Sequence, residues 1–181
     1  MKTSENAAFP KFQEIGSKSW HELEALILKG EAPDAGSLAG WEYRGMNIAP
    51  LVKYLGLQKF VKGFFRKADG RLMGYNIAVR QDGLEAPWVA RTFSAPAKKF
   101  GFFRVCKADT TVTGKRYLNT LLLDYGQGGN GSRNITALIR DYLVRVEKDS
   151  DELLLGKAYM AIGRNRIMLS YFVLERLRPT G

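Results

Sequence analysis

The chain has 181 residues, 45% of them hydrophobic and 25% charged, with a formal net charge of +10 and a pI near 9.8. That is the composition of an ordinary globular domain long enough to bury a core, and no apolar run approaches the ~20 residues of a membrane-spanning helix. One cysteine, Cys106, and one histidine, His21, exclude an internal disulfide and a cysteine-based zinc site and argue against a histidine-based metal site.

Residues 1–16 are polar with scattered aromatics and read as a loosely ordered leader to a single domain over 17–181. Residues 17–30 read as a helix. Ser19 and Glu22 have the spacing of a capping box, Trp20, Leu23, Leu26 and Ile27 form an apolar stripe, and Gly30 ends it. A linker, EAPDAGS, precedes a first strand over 38–46. Residues 50–67 project as a basic, aromatic amphipathic helix opened by Pro50: Tyr54, Leu57, Phe60, Val61, Phe64 and Phe65 fall on one side, and Lys59, Lys62 and Arg66 on the other. Such a helix is either a lid over a cavity or a fixed cover on a core. Gly56 and Gly63 weaken it by roughly 1 kcal/mol each.

From Gly70 the period changes to two. Residues 71–80 alternate, Gln81-Asp82-Gly83 marks a turn, and 87–94, 100–108, 116–125 and 134–147 are further strands. The last of these needs a bend or bulge if continuous. Gly126 to Gly131 is a glycine-rich loop without the lysine and helix of a phosphate-binding loop. Two final strands, 152–162 and 165–176, meet at Gly163-Arg164. Ile167, Leu169, Tyr171 and Val173 share one face of the last, and Met168, Phe172 and Leu174 the other, so both faces need cover. The expected fold is mainly β, an antiparallel barrel of about eight or more strands whose outer face helix 17–30 covers.

The run Gly40-Trp41-Glu42-Tyr43-Arg44-Gly45 resembles the opening strand of lipocalin-like and fatty-acid-binding-protein-like barrels, and a helix directly after it is similar to the lid of the latter. Closer still are bacterial families of unknown function with a Gly-x-Trp-x-Gly motif. The likeness extends to Pro50-Leu51 through Phe60, to 139–146, to Leu154-Leu155-Gly156 and to 171–176. Here the motif reads Gly40-Trp41-x-x-x-Gly45, with the tryptophan displaced by one position, which reverses its direction in a strand.

The resemblance implies a binding or carrier protein for a fatty-acid-like or other lipid, with Arg140 and Tyr142 gripping an anionic head group. Arginine offers a fork of donors and the phenol one more. Pairing of Arg140 with Asp124 or Asp141 is the competing expectation. Trp41, Phe60, Phe64, Tyr75, Tyr171 and Asp124 complete the candidate ligand-binding set. No catalytic residue, cofactor or metal is expected. The alternatives are an enzyme in which Asp124, Arg140 and Tyr142 cluster in the cavity, or a basic binder of anionic membrane or nucleic acid. Scattered basic residues make nucleic acid the weaker partner, whereas transient contact with anionic membrane fits the lysines of 50–67. The amino terminus lacks a signal-peptide pattern, so the cytoplasm is the expected location.

Overall fold

The computed structural model describes residues 9–49, 58–91, 98–109, 116–131, 134–163 and 165–180. Helix α1, Phe9–Gly16, lies where the sequence suggested a loose leader. Phe12 and Ile15, one turn apart, are both buried, and Phe12 meets the Trp88 ring edge-on at 5.9 Å. A surface on the barrel wall thus holds a segment too short to be a stable helix alone. Helix α2, Trp20–Lys29, has the expected capping box: Glu22 N–H donates to Ser19 Oγ, and Ser19 N–H donates to the Glu22 carboxylate at 2.8 Å. Leu23 and Ile27 form its buried stripe. A third helix, α3 (Ala35–Leu38), replaces part of the expected linker. Asp34 caps it by accepting from Gly36 N–H at 3.0 Å.

The barrel follows: β1 (Trp41–Ile48), β2 (Lys59–Arg66), β3 (Leu72–Ala78), β4 (Lys99–Lys107), β5 (Leu121–Asp124), β6 (Ile139–Arg145), β7 (Leu153–Ile162) and β8 (Asn165–Pro179). Each strand pairs antiparallel with its chain neighbour, and β8 returns to β1, closing the sheet. Closure removes the edges at which an open sheet aggregates.

β2 overturns the helix expected over 50–67. Residues 59–66 are a strand paired with β1 and β3, while 50–57 lie outside the described residues. Phe60, Val61, Phe64 and Phe65 cluster on a helical projection, yet they also alternate Phe60, Lys62, Phe64 against Val61, Gly63, Phe65. Aromatic residues, valine and glycine are poor helix formers, and the first two suit a pleated sheet. Partner strands on both sides then pair the backbone groups that a helix would have paired internally, β1 over 59–63 and β3 over 60–66.

Other boundaries differ for local reasons. The expected strand 116–125 is ordered as β only over 121–124: before it Thr120 donates twice to the Tyr117 carbonyl in a turn, and after it the Asp124 carboxylate accepts from Gly126 N–H at 2.8 Å and caps a 3₁₀ turn over 125–127. Asn134 caps a second 3₁₀ turn over 135–138, so the long strand expected over 134–147 begins at Ile139. Of the strand expected over 87–94, the described part makes a single bridge, Val79 to Ala90. Bulges at Glu42/Tyr43, Gly74/Asn76 and Ala158/Tyr159 bend the sheet into its closed form.

Glycines set how the interior fills. Gly45, Gly74 and Gly156 stand directly opposite Phe60, Phe103 and Phe172 on the neighbouring strands, and each ring lies over its glycine, within 2.4 Å of where a Cβ would sit. On the outer wall Tyr75 covers Gly63 in the same way. The missing side chain lets a large ring lie along the sheet, filling a space that two ordinary side chains would crowd.

Candidate functional site

Register and alternation sort the side chains into two sets. Tyr43, Phe64, Phe103, Leu121, Leu123, Leu143, Leu154, Phe172 and Leu174 face the axis and pack as one buried cluster. Met46, Val61, Tyr75, Leu122, Tyr142, Val144, Leu155, Tyr171 and Val173 face outward and share a second buried cluster with Phe12 and Ile15 of α1, Leu23 and Ile27 of α2, and Trp88.

One end of the interior is closed. Leu38 of α3 is fully buried beneath it. Arg145 donates to Asp151 at 2.6 Å, Tyr43 donates to the Asp151 carbonyl at 3.0 Å, and the Arg176 guanidinium lies 4.8 Å from the Trp41 ring. Above this floor the rings run in contact, Tyr43 to Phe64 at 5.5 Å, Phe64 to Phe103 at 5.7 Å and Phe103 to Tyr125 at 5.1 Å.

A polar cluster rests on these rings. Lys62 and Asp141, only 2% and 3% exposed, reach across the barrel from β2 and β6. Lys62 Nζ donates to Asp141 Oδ2 at 3.2 Å, to Asn76 Oδ1 at 3.0 Å and to the Tyr125 hydroxyl at 2.6 Å. The Tyr125 hydroxyl donates to Asp141 Oδ2 at 3.1 Å, and Asn76 Nδ2 donates to the Gly101 carbonyl at 2.9 Å. The Phe103 and Phe172 rings lie 4.6 and 5.4 Å from the ammonium, giving it a second form of stabilisation. Burial lowers the Lys62 pKa and raises that of Asp141, in each case against the pull of the partner charge. Asp141 Oδ1 is buried and receives no hydrogen bond.

Beyond the cluster the interior turns apolar again and reaches solvent. Phe60, Ile139 and Leu169 are half-buried against the core. Phe100 is the registered partner of inward-facing Asn76, and Ile167 is that of Met160, so both turn toward the axis. Phe100, Ile162 and Ile167 are nevertheless 42%, 46% and 51% exposed. An apolar mouth thus lies over a buried charged cluster.

The residues chosen from sequence divide between the two faces. Trp41, Phe60 and Phe64 belong with the interior cluster. Tyr75, Tyr142 and Tyr171 are on the outer wall. Arg140 and Asp124 share that outer side and pair at 3.0 Å, the competing expectation for Arg140. Arg140 and Tyr142 therefore do not hold a head group inside the barrel, and a reaction at Asp124, Arg140 and Tyr142 in the interior has no geometric basis. Cys106 faces outward, half-buried, with its thiol pushed up in pKa by burial. Lys62 and Asp141 are outside the candidate set from sequence, where Asp141 is named only as a possible partner of Arg140 and Lys62 only as part of the basic side of an expected helix. A period-two reading of 59–66 would have placed Lys62 between Phe60 and Phe64 on one face.

Tyr142 and Tyr171 instead help to clamp α2. Glu24 accepts from Tyr117 at 2.8 Å, Tyr171 at 2.7 Å and Arg116 at 2.7 Å, and from Lys157. Tyr142 stacks on Tyr117 at 4.9 Å. Burial opposes ionisation of Glu24, but the hydrogen bonds outweigh it and hold its pKa down at about 2 against an ordinary 4.5. A depressed carboxyl stabilises the fold above its unfolded pKa and loses that contribution as pH falls through the folded one. Undocking of α2 is thus expected between about pH 4.5 and pH 2, read by the fluorescence of Trp20, whose ring meets Tyr171 at 5.8 Å. Glu24→Gln should flatten that step. An unchanged acid profile in the variant would dismiss the clamp.

Two concavities lie outside the barrel wall. One, of about 590 Å³, runs between α1 and the end of β1 and is lined by Gln13, Trp20, Met46, Asn47 and Leu84 among others. The second, of about 240 Å³, lies over Phe65, Tyr75 and Phe102. Asn47 links the first to the barrel mouth, since it also meets Ser170 Oγ at 3.4 Å. Among the described residues there is no cluster of three or more histidine, cysteine or acidic side chains able to hold a metal, and no helix is long and apolar enough to cross a membrane. The chain matches no protein-family model and no curated protein.

Proposed function

We propose that this protein binds or carries a small hydrophobic or amphipathic molecule, taken up through the mouth bordered by Phe100, Met160, Ile162 and Ile167 and held above the Lys62–Asp141 cluster. The observation that carries this reading is the combination of inward-turned apolar side chains left in solvent with a buried charged pair beneath them. Exposing such groups costs free energy, about 25 cal/mol per Å² of apolar surface, and an apolar ligand relieves it. The aromatic packing below the cluster restricts the ligand to the upper interior. Lys98, Lys99 and Arg166 are exposed at the same end, which favours loading from an anionic surface.

Titration with an uncharged solvatochromic dye such as Nile red tests the reading. Saturable one-to-one binding is expected, displaced by 1-decanol. Ile167→Glu should weaken it about tenfold or more, by putting a charge where the apolar chain passes. Leu118→Glu, an equally exposed site on the opposite end, should leave it unchanged. Absence of saturable binding, or equal loss in both variants, would overturn the proposal.

A further inference from the structure

We infer that the polar end of the ligand is an uncharged hydrogen-bond donor, a hydroxyl or amide N–H, that donates to Asp141 Oδ1. This rests on the binding reading above and narrows it to one ligand chemistry.

The hydrogen-bond inventory of the cluster carries the inference. The three N–H groups of Lys62 are committed to Asp141 Oδ2, Asn76 Oδ1 and the Tyr125 hydroxyl. The hydroxyl proton of Tyr125 goes to Asp141 Oδ2. The Asn76 amide group donates to the Gly101 carbonyl and the Tyr125 hydroxyl. Every donor is used, and what remains is an acceptor, Asp141 Oδ1, on a carboxylate with only 4% of its side chain exposed. A buried acceptor left without a donor costs more than an ordinary hydrogen bond gains, and more again when charged.

Charge then selects among donors. A carboxylate ligand brings acceptors to a site that needs a donor and faces the like charge of Asp141. An ammonium ligand supplies donors but sits beside the Lys62 ammonium in a low-dielectric interior, where like charges repel strongly. A hydroxyl or amide avoids both penalties. The cross-strand neighbours of Asp141 are small: Ala158 is its registered partner on β7 and Ser170 is the partner of Ala158 on β8, both on the inner face. This chemistry differs from the anionic head group that the sequence resemblance implied.

The test measures displacement of bound Nile red from the full chain by 1-decanol, decanoate and decylamine at neutral pH. Decanol should bind about tenfold or more tightly than either charged analogue, the value of a hydrogen bond to a charged group. Asp141→Asn should bring decanol and decanoate close to parity, because the amide can offer its own donor. If that variant does not fold, infrared difference spectra of the wild type, carrying isotope-labelled aspartate, give the answer. Saturating decanol should shift the stretch of one buried carboxylate. Decanoate binding as tightly as decanol, or a carboxylate band that decanol leaves unmoved, would overturn the head-group inference alone. A protein that binds no dye at all overturns the binding reading beneath it.

Discussion

Lys62→Met is expected to destabilise the protein by about 3–5 kcal/mol, the largest electrostatic effect that a single substitution should produce here. Among the described residues the ammonium is the only cation paired with Asp141, and it makes three of the hydrogen bonds at the centre of the barrel. Methionine fills a similar volume among Phe103, Phe172 and Phe60, so packing is largely kept and the loss isolates the charge. Among the described residues, what remains is a buried carboxylate supported only by the Tyr125 hydroxyl. Its pKa, already raised by burial, should rise further. A carboxyl whose folded pKa lies above its unfolded value favours the fold when protonated and loses that contribution as pH rises through the folded pKa. The variant should therefore lose most at neutral and alkaline pH and recover part of its deficit in mild acid. Urea unfolding followed at several pH values measures this. Lys62→Met/Asp141→Leu should regain most of the stability, because replacing a buried pair by apolar groups is often neutral. A single variant as stable as wild type at neutral pH would show that Asp141 is solvated, contrary to its burial.

Phe103→Ala should cost about 3–5 kcal/mol, the usual loss for a large buried ring. Phe103 is fully buried. Its ring lies over Gly74, touches Phe64 and Tyr125, and faces the Lys62 ammonium at 4.6 Å. Removing it leaves a void that the closed sheet cannot collapse to fill, and strips one of the rings from the ammonium. The midpoint of urea unfolding should fall with the slope unchanged. Phe100→Ala, at the exposed mouth, should change stability by less than about 1 kcal/mol. Equal losses at the two phenylalanines would mean that the mouth is as tightly packed as the core.

How much was legible varies along the chain with the range of the forces involved. The capping box at Ser19 and Glu22, the alternation of β3 and the Gly163 hairpin are local, and each was read where it occurs. The expectation of a closed barrel also followed from the sequence, because β8 is apolar on both faces and an isolated sheet cannot bury both. Residues 59–66 misled because their aromatics satisfy both periods, and partner strands rather than the segment itself decided between them. β5 and β6 were read too long because Thr120 closes a turn on Tyr117 and because Asp124 and Asn134 cap 3₁₀ turns, uses of short polar side chains that compete with the strand ladder. The candidate site divided for a related reason. Alternation placed Arg140 and Tyr142 on one face correctly, but nothing local says which face of a strand is the inside.

The sequence by itself therefore determined the strand-rich domain, the capped helix α2 and the pairs of side chains that share a strand face. Only the tertiary structure decided which face turns inward, because that depends on where the sheet closes and on which apolar surface the helices cover. Closure put Lys62 opposite Asp141, 79 positions along the chain, and left Phe100 and Ile167 at the mouth above them. A buried ion pair across a barrel is a contact between distant strands, and such contacts leave no spacing in the sequence from which to read them.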